Sequence, residues 1–270
     1  MVTIRTSDTH PLHIDVVMEP PNVYLDQCAI ADFADSPQLG DDFRTTLLDK
    51  KGTLCISGLH LLELSGLCPG NSYTRIQTYL TSFGRHFAIL DFDPNSVLAR
   101  ERGPSELRPR APIDFELTKE LVLKWNGLSE ISLGIILGVL TNDSSLVASL
   151  RQAHVAQKQS IHDDFKQFRQ LYLSDTKAKE RVNKSKCPDP GQSSVIDYLY
   201  CEVRRICLRQ DLGERDTFDF FHSIVSVSYA DFVVLDKKWA ARLRNIRAVP
   251  GMSKIFGANE YPAFLREFAA

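Results

Sequence analysis

Four short stretches of this chain read as strands buried from end to end, and helical sequence flanks each of them. They are residues 22–25, 52–56, 86–90 and 232–235. A strand with one face in water alternates apolar and polar residues. A strand without that alternation needs cover on both faces, and crossover helices on a parallel sheet supply it. The four stretches therefore predict an α/β fold, a doubly wound parallel sheet. Helices are expected over 28–33, 43–48, 59–64, 73–84, 195–208, 218–229, 237–243 and 261–268. Ser57 is placed to cap the third of these, counting from the N-terminus. Gly66 and Cys68-Pro-Gly70 end it.

The sheet pattern does not run through the whole chain. Residues 1–20 read as an N-terminal arm, with a strand expected over 12–18. Residues 103–112 are rich in proline and arginine and show no period, which marks a linker. Beyond it, 113–190 reads as a helical insertion, so the sheet domain is expected to comprise 21–112 and 191–270. Within the insertion, Ile161, Phe165, Phe168 and Tyr172 recur at three- and four-residue steps and predict one apolar helix face. The basic run from Lys177 to Lys186 reads as a solvated loop with some capacity for phosphate. Cys187-Pro-Asp-Pro-Gly191 closes the insertion.

Charge and cysteine content narrow the function classes. The net charge of the 270 residues is -2, so the whole molecule is no magnet for nucleic acid. Residues 1–150 hold 12 Lys+Arg against 19 Asp+Glu, and 151–270 hold 20 against 15. An acidic first half can hold metal, and a basic second half can meet phosphates. The cysteines form no Cys-x-x-Cys, and several lie in apolar runs. Reduced, buried thiols are expected, with neither a disulfide framework nor a zinc site. No signal-like segment opens the chain, and its longest apolar run, 135–140, is far short of the ~20 residues that span a bilayer. A cytoplasmic protein with no membrane partner is expected.

The chemistry lies in the acids. Asp26 and Asp236 each directly follow a strand, and ligands of open parallel sheets bind beyond the strands' carboxyl ends. Glu63 lies about two turns into the helix after the second strand. Asp219 lies on the helix that feeds the last strand. Oxygen-only donors suit hard cations such as Mg²⁺ or Mn²⁺, and clustered carboxylates around such ions point to phosphodiester hydrolysis. Asp231 is set apart. Five residues of strand at ~3.3 Å each put its Cα about 16 Å from that of Asp236, so a structural role at the strand's start is expected. Asp91 and Asp93 are expected in a turn with Pro94. His222 shares a helix face with Asp219 and is expected to be structural. His60 and Glu63 also share a face, but no further nitrogen or sulfur ligands complete a zinc site.

Asp26 after the first strand, Ser57 and then Glu63 after the second, Asp219-x-x-His222, and Tyr229-x-Asp231 before Asp236 form an ordered set. In that order the chain resembles the PIN-domain metal-dependent nucleases, which include the ribonucleases of toxin–antitoxin pairs. The resemblance covers about 20–100 and 195–268. It implies a PIN-like sheet, Mg²⁺ or Mn²⁺ as cofactor, and RNA cleaved by metal-activated water. It places Asp26, Glu63, Asp219 and Asp236 as the catalytic and metal-binding set. It also implies a toxin or phage-defence effector role, a protein partner that restrains or assembles the enzyme, and the possibility of a homo-oligomer. Two features depart from the family. Val234 and Leu235 stand where members often carry Thr or Ser, and compact members lack so large an insertion. A DNase with the same site and a non-catalytic PIN-like scaffold remain the alternatives.

Overall fold

The computed structural model describes residues 2–7, 10–67, 70–104, 111–123, 132–188 and 194–270. The core of the linker expected over 103–112, most of the break after Cys187, and residues 124–131 lie outside these, as do Cys68 and Pro69. The N-terminal arm is a hairpin of β1 (Val2–Ser7) and β2 (His10–Val16), paired antiparallel. The strand expected over 12–18 thus begins and ends two residues earlier.

The main sheet begins with β3 (Asn22–Leu25), followed by α1 (Gln27–Asp35), α2 (Pro37–Asp49) and β4 (Thr53–Ser57). Next come α3 (Gly58–Leu67), α4 (Asn71–Thr81), β5 (Phe87–Leu90) and α5 (Pro94–Glu101). A helical stretch follows, made of α6 (Phe115–Leu123), α7 (Leu133–Asn142), α8 (Ser144–Ser174) and α9 (Thr176–Lys184). The chain then returns to the sheet through α10 (Val195–Arg209), α11 (Glu214–Tyr229) and β6 (Phe232–Leu235). It ends with α12 (Lys237–Arg244), β7 (Lys254–Gly257) and α13 (Tyr261–Ala269).

The protein is α/β. Its five strands lie in the order β5-β4-β3-β6-β7, and every neighbouring pair is parallel. Every residue of β4 and β5 is buried, so both faces of the sheet are covered, as uninterrupted apolar strands require. The order matters for function. From β3 the chain steps outward to β4 and β5, then returns to the other side of β3 with β6. The crevice between the carboxyl ends of β3 and β6 is the switch point where open α/β sheets bind ligands.

The insertion helices are not a separate body. Leu121, Leu133, Ile136, Leu137 and Val147 belong to the same buried core as the sheet. The Tyr73 hydroxyl of α4 donates to the Leu137 carbonyl at 2.6 Å, and α8 packs on α3, α10 and α11.

Three expectations need correction. The basic run is helical as α9, because Asp175 caps it by accepting from the Lys177 and Ala178 amides at 2.8 and 3.2 Å. The aromatic face of α8 is split. Phe165 packs on Phe220, whereas Phe168 is half exposed under the Arg204 guanidinium, 5.1 Å from its ring centre. The cysteines are not all thiols either. Cys187 and Cys201 form a disulfide that ties the end of the helical stretch to α10, while Cys28, Cys55 and Cys207 are free. Among the described residues, no helix is long and apolar enough to cross a membrane.

Candidate functional site

Asp26 and Asp236 meet because their strands are neighbours. The Asp26 amide donates to the Val234 carbonyl at 2.8 Å, which carries the β3–β6 ladder one step past Leu25. Each acid then caps the helix that follows. Asp26 Oδ1 accepts from the Gln27 amide at 2.7 Å, and Asp236 Oδ1 accepts from the Lys238 and Trp239 amides at 2.8 and 3.2 Å. The remaining oxygens are less settled. Asp26 Oδ2 takes the Asp236 amide at 3.3 Å and the Cys28 thiol at 3.6 Å. Asp236 Oδ2 is buried and has no hydrogen-bond partner among the described residues. Burial pushes the Asp26 carboxyl above its ordinary range, the Gln27 amide pulls against that, and the Asp236 charge adds to it.

Glu63 and Asp219 reach the same cavity from other walls. The cavity, of about 580 Å³, is lined by Asp26, Glu63, Asp219 and Asp236, and by Cys28, Asp216 and Lys238. Arg75, paired with Asp35 at 2.6 Å, forms another part of its wall. Tyr24 lies beneath. Its phenol is pushed well above the usual range, first by burial and then by the charges of Asp26, Glu63 and Asp219, while its bond to Ser57 opposes them. Even so, among the described residues no group of three or more His, Cys, Asp or Glu stands in an arrangement that could hold a metal ion. Asp26 and Asp236 are in contact, and Glu63 and Asp219 share their cavity.

The other singled-out residues have structural duties. Asp231 lies at the opposite edge of the sheet, where its Oδ2 accepts from the Asn22 amide at 2.7 Å. Asp93 caps α5 and takes the Ser96 hydroxyl at 2.8 Å, while Asp91 pairs with Arg100 at 2.7 Å. His60 is buried with both ring nitrogens engaged. Nε2 donates to the Leu25 carbonyl at 2.8 Å, which leaves Nδ1 to accept from the Ser57 amide at 3.0 Å. Ser57 ends β4 just before α3, and His60, three residues on, takes its amide as Glu or Gln does in one half of a capping box. Neither ring nitrogen is left for zinc. The side chain of His222 lies outside what the structure describes.

Asp216, like Asp35 and Arg75, is a cavity residue that sequence reasoning passed over. Lys238 Nζ donates to both its oxygens at 2.7 Å, and Arg242 approaches at 3.3 Å. Partial burial works to raise its pKa, but the Lys238 bond and the two cationic charges outweigh that and hold it below the usual range. Its spacing of one helical turn before Asp219 was the available signal. Comparison of the chain with protein-family models, curated proteins and solved structures returned no match.

Proposed function

We propose that this chain is a metal-dependent endonuclease of PIN-like fold that hydrolyses phosphodiester bonds in RNA. One observation carries the reading. Asp26, Glu63, Asp219 and Asp236, drawn from four elements in three separate stretches of the chain, line one cavity beside the switch point of a parallel sheet. On this reading, 21–112 and 191–270 form the nuclease domain, 1–20 an arm, and the helical insertion over 113–190 the surface that meets a restraining partner.

The donor set fits a hard divalent cation. It is oxygen-only, which favours Mg²⁺ or Mn²⁺. Among the described residues Asp236 Oδ2 is buried with no hydrogen-bond partner, a costly state for a carboxylate oxygen. The Asp236 charge adds to the cost of ionising Asp26, and a cation between such groups reverses that sign. Asp26 and Asp236 would hold the ion, with Glu63 and Asp219 completing its surroundings. When bound, such an ion supplies positive charge beside the scissile phosphate and makes water more acidic.

The chain's other groups do the remaining work. Cys28 is no nucleophile, because burial and the Asp26 charge keep its thiol protonated. His60 stays a neutral imidazole, because burial lowers its pKa to about 4, and its one N–H is held by the Leu25 carbonyl while its other nitrogen accepts from Ser57. Proton traffic at the cavity therefore falls to the carboxylates. Lys238 and Arg75, each held by a carboxylate, present cations on the cavity wall where a phosphate backbone needs them.

The test is cleavage of matched single-stranded RNA and DNA with Mn²⁺, with Mg²⁺ and with EDTA. The proposal expects RNA to be cut with either metal and spared in EDTA. Preference for DNA would make the chain a DNase with the same site. No cleavage of either polymer would leave a binding scaffold.

A further inference from the structure

The basic residues around the end of α9 have no part in the carboxylate site, yet they converge. At the far end of α12 from Asp236 lies a second cavity, of about 560 Å³, that shares no lining residue with the first. Lys184, Lys186, Arg205, Arg209 and Arg247 line it, and Glu202 is its one acid. We infer that this cavity is a phosphate-binding site, separate from the carboxylate site and independent of the nuclease reading.

The charges there exceed what the fold requires. Arg205 is a building element. It pairs with Glu202 at 3.1 Å, donates to the Ser185 carbonyl, and keeps a buried Nε without a partner. Lys184 pairs with Glu180 at 3.1 Å. Lys186 and Arg247 face no carboxylate among the described residues, and Arg209 reaches only the neutral Asn183 oxygen at 3.4 Å. Three helices, α9, α10 and α12, end at this cavity, and a helix C-terminus carries about half a negative charge that basic residues commonly offset. Those three ends, Glu202 and the Glu180 that pairs with Lys184 amount to about three and a half negative charges by that measure, against five positive ones. The surplus sits in a concave, solvent-open site, where low-dielectric walls concentrate its field.

The shape is also held in place. The Cys187–Cys201 disulfide and the Arg205 bond fix the 185–187 wall against α10. The Tyr198 hydroxyl donates to the Arg247 carbonyl at 3.1 Å and fixes the opposite wall. Two of the three unspent cations are arginines, whose planar forks match phosphate oxygens. The matching ligand is therefore a phosphate group, borne by a small phosphorylated molecule or by a nucleic-acid backbone. The backbone is within geometric reach of the first cavity. Asp236 caps one end of α12 and Asn245 the other, and eight residues at ~1.5 Å each separate the ends by about 12 Å.

The test uses the triple variant Lys186→Ala, Arg209→Ala and Arg247→Ala in the full chain, which leaves Arg205 and its contacts in place. Calorimetry in EDTA would measure binding of inorganic phosphate, adenosine 5′-monophosphate and a short single-stranded RNA. The inference expects at least one of these to bind the native chain, and the triple variant to bind it at least about tenfold more weakly. Weakening confined to RNA would assign the site to a nucleic-acid backbone, and the loss of three contacts would flatten its log–log salt slope by about 2. Weakening that extends to the small anions would assign it to the phosphate group itself. Failure of all three probes to bind the native chain, or unchanged affinity in the triple variant, would overturn the inference.

Discussion

Asp236 and Asp231 bracket one strand, and their surroundings differ in kind. Asp231 spends its carboxylate on the Asn22 amide at the sheet's amino edge. Asp231→Ala should cost about 1 kcal/mol in urea unfolding, the worth of one such bond, and leave cleavage unchanged. Asp236→Asn should keep most of the stability and lose cleavage by more than about 100-fold, since even outer partners of metal ligands are worth 10–100-fold. His60 sets a pH dependence of its own. Burial lowers its folded pKa from 6.5 to about 4, so protonation favours the unfolded chain. Its stabilising contribution is whole above pH 6.5 and drains as pH falls toward 4, by about 3 kcal/mol in all. His60→Gln should flatten the stability profile between those pH values, measured by denaturation at each pH. An unchanged slope would refute the assignment. The four acids were legible because each sits at a fixed offset from a strand or along a helix. Asp216 was not, because an acid in a helix's first turn ordinarily serves the helix. It becomes a cavity wall only because α12 brings Lys238 and Arg242 against α11.

At the level of elements, strands β3 to β6 were readable because burial on both faces leaves a continuous apolar run. β7 was not, since Lys254-Ile-Phe-Gly257 is short and starts with an exposed lysine at the sheet edge. The helix α9 was mistaken for a loop because its composition is polar all round. What makes it a helix is local, the Asp175 cap and the Lys184–Glu180 pair one turn apart. The disulfide was hidden for the opposite reason. The pairing of Cys187 with Cys201 depends on how the segment after α9 folds back onto α10, which no spacing rule encodes. Packing between α1 and α2 has a sharper requirement. A Cβ at Gly40 would lie 2.5 Å from the Phe33 carbonyl oxygen and 3.0 Å from Tyr79. Backbone cannot yield as a flexible side chain does, so Gly40→Ala should destabilise by about 1–3 kcal/mol, read from the urea midpoint at unchanged m-value.

Across the whole molecule, the strand order turns separate sequence signals into a site. A sequence can show that Asp26 and Asp236 end strands. It cannot show that β3 and β6 pair, because 206 residues of other structure lie between Leu25 and Phe232. Once they pair, the acids are placed by the ladder itself, through the Asp26 amide on Val234. The insertion was visible as a loss of strand pattern. Its continuity with the core was not, since contacts such as Tyr73 with Leu137 join helices far apart in the chain. Charge is separated in space and not by halves of the chain, with acids from both halves at the switch point and surplus cations at the other end of α12. The most direct measurement of the central claim is cleavage of single-stranded RNA in Mn²⁺ by the native chain and by the Asp26→Asn, Asp236→Asn double variant, with folding checked by circular dichroism. The account predicts cleavage by the native chain and none by a folded double variant. Equal cleavage by the two proteins would contradict it.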